Sequence, residues 1–201
     1  MDFNRKIFEH KVRVKPDDLE LFFKHRPECF DKKRGVELLT GLLISRTFEQ
    51  YDNRPHAIII PVKKHKLNPP TLEEIIENPT LHVDSDVDLY VQENEIEAHK
   101  IQITELEEHY SGGTLDEGLI NLIKKKCKRS PDPNLHLVVI ADVRGDVNIE
   151  KIRNGLEKVN CPFATVLYFG QLGKNIKLGE FSCIMVFPEL RPPVNIQLNL
   201  R

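Results

Sequence analysis

The chain has 201 residues, of which 40% are apolar and 30% charged, and a formal net charge of −2. That supplies an ordinary buried core for one large domain, or for one domain with an elaborated N-terminus. It excludes a global basic field for nucleic acid, so any such binding must rest on a local patch.

Cys29, Cys127, Cys161 and Cys183 are scattered, with no pair at zinc-site spacing, which points to a reduced, cytoplasmic setting. The N-terminus lacks the apolar core of a signal peptide, and no stretch approaches the roughly 18 apolar residues of a membrane span, so no membrane partner is expected.

Residues 5–14 alternate weakly through Ile7, Val12 and Val14, the pattern of a short strand. Pro16-Asp17-Asp18 opens a brief helix through Phe22 and Phe23, with acids in its first turn where the dipole favours them. A longer helix is predicted from about Lys33 to Gln50, because Leu38, Leu39, Leu42 and Leu43 recur on one side. Arg46 and Glu49 fall on or near that side, where an i, i+3 pair would satisfy both charges. Glu37 falls on the opposite side and reads as solvated.

Pro55 precedes an apolar strand, Ala57 to Val62. Residues 63–80 form a polar connector, in which Thr71 and Glu74 have the capping-box spacing of a short helix ended by Pro79. A hairpin follows over 86–104, then a helix from about Leu115 to Lys128 and a nearly continuous apolar strand, Leu135 to Ile140. Asn148 to Val159 reads as a helix. Phe163 to Phe169 and Phe181 to Phe187 read as strands joined by a Gly-, Lys- and Asn-rich turn. Beyond Pro192-Pro193 a tail or edge strand is expected.

The fold class is therefore α/β, with a mixed central sheet flanked by helices. Residues 1–80 are an N-terminal elaboration carrying the leading helix, 81–190 the α/β core and 191–201 a tail.

The hairpin holds the residues of chemical interest. If extended, Asp84, Asp86 and Asp88 share one face of its first strand, and Lys100, Gln102 and Thr104 share one face of its second. Strands lie about 4.8 Å apart, so side chains across the hairpin can meet around a metal ion. Asp88 is a candidate Mg²⁺ ligand, with the Gln102 side-chain oxygen and the Ile103 carbonyl as weaker, neutral ones. The plainer reading is an acidic turn followed by ordinary strand residues.

The order of helix, Asp-led strand, hairpin, lysine-bearing helix and apolar strand resembles the PD-(D/E)xK nuclease superfamily, the restriction-endonuclease-like fold. Val87-Asp88-Leu89-Tyr90-Val91 is similar to its first motif and Lys100-Ile101-Gln102-Ile103-Thr104 to its second. The resemblance covers roughly 86–169, and 36–50 matches the leading helix. It implies a nuclease that uses Mg²⁺, with Mn²⁺ as a substitute, on DNA or RNA.

On that resemblance Asp88 is the principal metal ligand and Gln102 an auxiliary one, with Asp86 or Glu49 assisting. Thr104 contacts water or phosphate, and Lys126 or Lys100 stabilises charge on the scissile phosphate. Lys126 falls on the apolar side of its helix, where snorkelling past the core edge is the plainer explanation.

The motif departs from the family at three positions. Val87 replaces the proline, Gln102 replaces the acid and Thr104 replaces the lysine. Losing one transition-state donor of that kind costs about 2.7–4 kcal/mol. The alternative function is accordingly a catalytically inactive module of the same fold for nucleic-acid or protein interaction. A third is an unrelated α/β domain binding a small molecule.

Other signals are weaker. The eight histidines show no helical i, i+4 pair and no HxH pair. Gly112-Gly113 reads as a plain turn. Lys63-Lys64-His65-Lys66, and Lys124-Lys125-Lys126 with Lys128-Arg129, are basic clusters able to meet a phosphate backbone.

Overall fold

The computed structural model describes residues 9–63, 68–83, 87–93, 97–106, 113–129, 132–141, 147–188, 191 and 193–200. Its strands are β1 (Glu9–Val14), β2 (His56–Lys63), β3 (Leu89–Glu93), β4 (Glu97–Leu106), β5 (Leu135–Ala141), β6 (Thr165–Gly170), β7 (Glu180–Phe187) and β8 (Val194–Gln197). They form one eight-stranded sheet in chain order. Every neighbouring pair is antiparallel except β4–β5 and β5–β6.

Those two parallel steps need crossover connections, which α4 (Leu115–Arg129) and α5 (Ile149–Glu157) provide. Both pack on one face, over Leu137, Val139, Val166 and Tyr168. The opposite face, with Ile58, Val91, Ile101, Val138 and Phe169, is covered by α1 (Pro16–His25) and α2 (Lys33–Asp52). β5 is therefore apolar on both sides, as its sequence indicates.

At 20 residues, α2 is about 30 Å long and spans the sheet from one end of its strands to the other. It touches α1, the 3-10 turn Pro27–Asp31, α3 (Leu72–Glu77) and strands that include β2, β3, β7 and β8. It is consequently buried nearly all round, with Thr40, Ser45 and Thr47 among its buried residues. Their hydroxyls donate to the Val36, His56 and Leu43 carbonyls, each at 2.8 Å. Glu37, expected on a solvated side, is in fact 8% exposed, because α2 has no solvated side at that turn.

Several local expectations hold. Arg46 Nη1 donates to Glu49 Oε2 at 2.9 Å, and Arg46 also meets Asp17 and Glu20 of α1. Thr71 and Glu74 form the capping box of α3. Beyond Pro193 the chain pairs as the edge strand β8.

The segment between β6 and β7 differs from the turn read in the sequence. It is a helix, α6 (Leu172–Leu178), closed by Gly179 at φ 71°. Among the described side chains, Ile176 anchors it on the core, which leaves little periodicity to read. Among the described residues, no helix is long and apolar enough to cross a membrane.

Candidate functional site

Asp88 stands immediately before β3, whose first residue, Leu89, pairs with Ile101 on β4. The Asp88 N–H donates to the Ile101 carbonyl at 2.9 Å, and Asp88 Oδ2 accepts from the Ile103 N–H at 2.6 Å. The carboxylate thus satisfies a backbone donor where the β3–β4 ladder begins. Burial pushes its pKa up to about 6; the Ile103 N–H opposes that shift and the Glu37 charge adds to it.

Glu37 reaches this point from the second turn of α2, with Arg34 one turn before it. Arg34 Nη1 donates to Glu37 Oε2 at 2.7 Å and to the Asp88 carbonyl at 3.3 Å. Lys33 Nζ stands 3.8 Å from Glu37 Oε1. A buried guanidinium therefore sits between the helix acid and the hairpin aspartate.

A cavity of about 360 Å³ opens beside Glu37, with Lys32, Lys33, Ile103, Glu105 and Ile140 among its walls. Ile103, Glu105 and Ile140 place it toward the C-terminal ends of the parallel strands β4 and β5. Ligands of open α/β sheets bind outside the carboxyl ends of strands.

The other expected residues are arranged differently. Ile101 and Ile103 pack under α2 while Leu106 packs under α4, so alternation puts Gln102 and Thr104 on the α4 side. Gln102 is 6% exposed and its Oε1 has no hydrogen-bond partner among the described residues. Thr104 is half-buried. Lys100 Nζ is held 2.9 Å from Asp132 Oδ2. Lys126, in the last turn of α4, is half-buried and makes no hydrogen bond or ion pair among the described residues.

The cations that act on Asp88 are Arg34 and Lys33. Glu49 lies about 18 Å along α2 from Glu37, counting 1.5 Å per residue. There its Oε1 accepts from the His56 N–H at 3.3 Å and its Oε2 from Arg46. Asp84 and Asp86 lie outside the described residues, as do Lys64-His65-Lys66 and Gly112.

Two groups escaped the sequence reading. Arg34 and Glu37 do so because the leucine spacing reads as a one-sided helix over 33–50. The available signal was the uncharged run from Leu38 to Ser45, which marks a helix buried all round.

The second group is a polar row at the other end of the sheet, beneath the C-terminal turns of α2. His56 of β2, His99 of β4 and His136 of β5 surround the Phe48 ring, with centroids 5.1–5.7 Å from it. His99 Nδ1 lies 3.1 Å from His136 Nε2, and His136 Nδ1 lies 2.8 Å from Thr165 Oγ1. Burial, then the neighbouring His99, push the His136 pKa down to about 4. Residues from three separate strands leave no spacing motif to find.

Comparison of the chain with family models, with curated proteins and with solved structures finds no match.

Proposed function

We propose that this chain is a restriction-endonuclease-like module that binds nucleic acid without hydrolysing it. The observation that carries this reading is the Arg34 guanidinium lodged between Glu37 and Asp88. Arg34 holds Glu37 and the backbone carbonyl of Asp88, so a divalent cation taking Glu37 as a ligand would have to displace it.

The residues present do not fit the Mg²⁺ that the resemblance implies. Mg²⁺ demands near-octahedral oxygen ligation, built on one or two carboxylates. Glu37 is already neutralised by Arg34, and one Asp88 oxygen is taken by the Ile103 N–H. Gln102 and Thr104 are neutral, and Lys100 is bound to Asp132.

The element order supports the fold part of the reading: α2, β2, β3, β4, α4 and β5, antiparallel through β4 and parallel from β4 to β5. The binding surface we assign is the basic end of α4. Lys125, Lys128 and Arg129 are exposed there and make no ion pair among the described residues. Unpaired surface cations of this kind gain affinity by releasing counterions from a phosphate backbone.

One observation favours the second reading, a Mg²⁺-dependent nuclease. Gln102, which stands opposite Asp88 when the Leu89–Ile101 pairing is extended by one residue, has a buried Oε1 that lacks a donor among the described residues. Assays of single- and double-stranded DNA and RNA, with Mg²⁺ or Mn²⁺, separate the two. The expected result is binding without cleavage, weakened by reversing charge at Lys125, Lys128 and Arg129. Cleavage that disappears in Asp88→Ala would establish the second reading, and affinity indifferent to the charge reversal would remove the assigned surface.

A further inference from the structure

We propose that Asp52, His56 and Glu93 form a site for a transition-metal ion of the zinc type, at the end of α2 remote from Asp88 and independent of the function proposed above. One ligand atom from each of the three residues lies within 4.8 Å of the other two. The local fold assembles them simply. Asp52 is the last residue of α2, and Asn53, left-handed at φ 56°, turns the chain with its N–H 2.8 Å from the Glu49 carbonyl. Three residues later His56 opens β2, and Glu93 is its cross-strand partner on β3.

His56 decides the matter. It is 1% exposed, and its Nδ1 lies 2.8 Å from the Arg54 carbonyl oxygen. A carbonyl only accepts, so Nδ1 carries the proton and Nε2 of the neutral ring is left as a lone-pair donor. That nitrogen is buried and has no hydrogen-bond partner among the described residues. Asp52 Oδ2 stands 3.4 Å from it, without hydrogen-bond geometry. In a tetrahedral site with bonds near 2.05 Å, neighbouring ligand atoms stand roughly 3.3 Å apart. The separation is therefore that of two ligands of one ion.

The surroundings agree with a cation. A hydrogen bond from the remote ring nitrogen to a backbone carbonyl is how metal-binding histidines are oriented. Arg54 pairs with Glu93 through Oε1, beside the proposed site. Asp52 and Glu93 supply the anionic ligands, with Arg54 competing for Glu93, and the C-terminal end of a 20-residue helix favours positive charge.

One imidazole and two carboxylates suit Zn²⁺, Co²⁺ or Mn²⁺ better than Mg²⁺. Asp52 also forms a wall of a second cleft of about 360 Å³, which His99, His136 and Arg191 share. Three protein ligands thus leave a coordination position for water from that cleft.

Titration of Zn²⁺ and Co²⁺ into the full, metal-stripped chain tests the site. The expected result is one saturable equivalent, with Co²⁺ absorption of tetrahedral intensity. Affinity should fall at least tenfold in Asp52→Asn and in Glu93→Gln, and stay unchanged in Asp88→Ala. His56→Gln should abolish binding; because that side chain is buried and the variant can misfold, the exposed Asp52→Asn is the deciding one. Absence of saturable binding, or binding indifferent to Asp52→Asn and Glu93→Gln, overturns the proposal.

Discussion

Arg34 and Glu37 form a 2.7 Å ion pair that is buried on both sides, one turn apart at the start of α2. Breaking a buried pair by removing one partner leaves an uncompensated charge, at a cost of about 3–5 kcal/mol. Arg34→Ala and Glu37→Ala should each lose that much in urea denaturation. The double replacement Arg34→Met/Glu37→Leu should lose far less, because it removes both desolvated charges and the Arg34 Nε that already lacks a hydrogen bond. A double variant as unstable as the sum of the two single ones would show that the charges do not depend on each other.

Asp88 should make the fold less stable as pH rises. Its pKa is about 6 in the folded chain against an ordinary 3.8, so the folded state holds the proton more tightly. The favourable contribution is complete below the unfolded value and lost as pH climbs through about 6. Asp88→Asn removes the titration while keeping an acceptor for the Ile103 N–H. It should be about 1–3 kcal/mol more stable than wild type at pH 7, with the gap closing near pH 4. Denaturation midpoints at those two pH values would check this, and a gap that does not change with pH would refute it.

His136 acts with the opposite sign. Its pKa falls from 6.5 to about 4 on folding, so the folded chain favours the neutral ring. That contribution is present above pH 6.5 and lost as pH falls toward 4. His136→Gln keeps a partner for Thr165 and should spare the chain up to about 3 kcal/mol of acid destabilisation between those pH values. The Asp88 and His136 slopes oppose each other in wild type over much of one window. The variants should therefore tilt the stability profile in opposite directions, and parallel profiles would count against both assignments.

The parts of this molecule legible in the sequence are those where local pattern and tertiary role coincide. The apolar run Leu135–Ile140 announces a central strand because both its faces are buried. The Arg46–Glu49 pair was readable because i, i+3 spacing alone brings the two charges together. Asp88 at the mouth of the hairpin was readable for a similar reason, since strand alternation is a local property.

What was not legible depends on which elements surround α2. A helical wheel assigns Glu37 to solvent, whereas in the fold it is buried beside Arg34. The row of His56, His99 and His136 is likewise a product of the β2 to β5 strand order, because the positions are 43 and 37 residues apart in the chain. Lys126 shows the limit from the other side. Its place on an apolar helix face was visible, but the depth at which α4 lies along β4 was not.

The geometry of α2 over the hairpin depends on two glycines that should respond differently to the same substitution. A Cβ at Gly35 would lie 1.8 Å from the Cys29 carbonyl oxygen and 2.7 Å from its carbon. Both are backbone atoms of the 3-10 turn, which cannot move without displacing the first turn of α2 and Arg34 with it. A Cβ at Gly41 would meet Leu89 Cδ2 at 2.8 Å, the end of a side chain that can rotate. Alanine also gains about 0.8–1 kcal/mol of helix propensity over glycine, against about 1–3 for overpacking. Gly41→Ala should therefore cost no more than about 2 kcal/mol, whereas Gly35→Ala should cost at least about 3. Equal denaturation midpoints for the two variants would mean that the 3-10 turn is free to withdraw, and that Arg34 is not fixed by the close approach of Gly35.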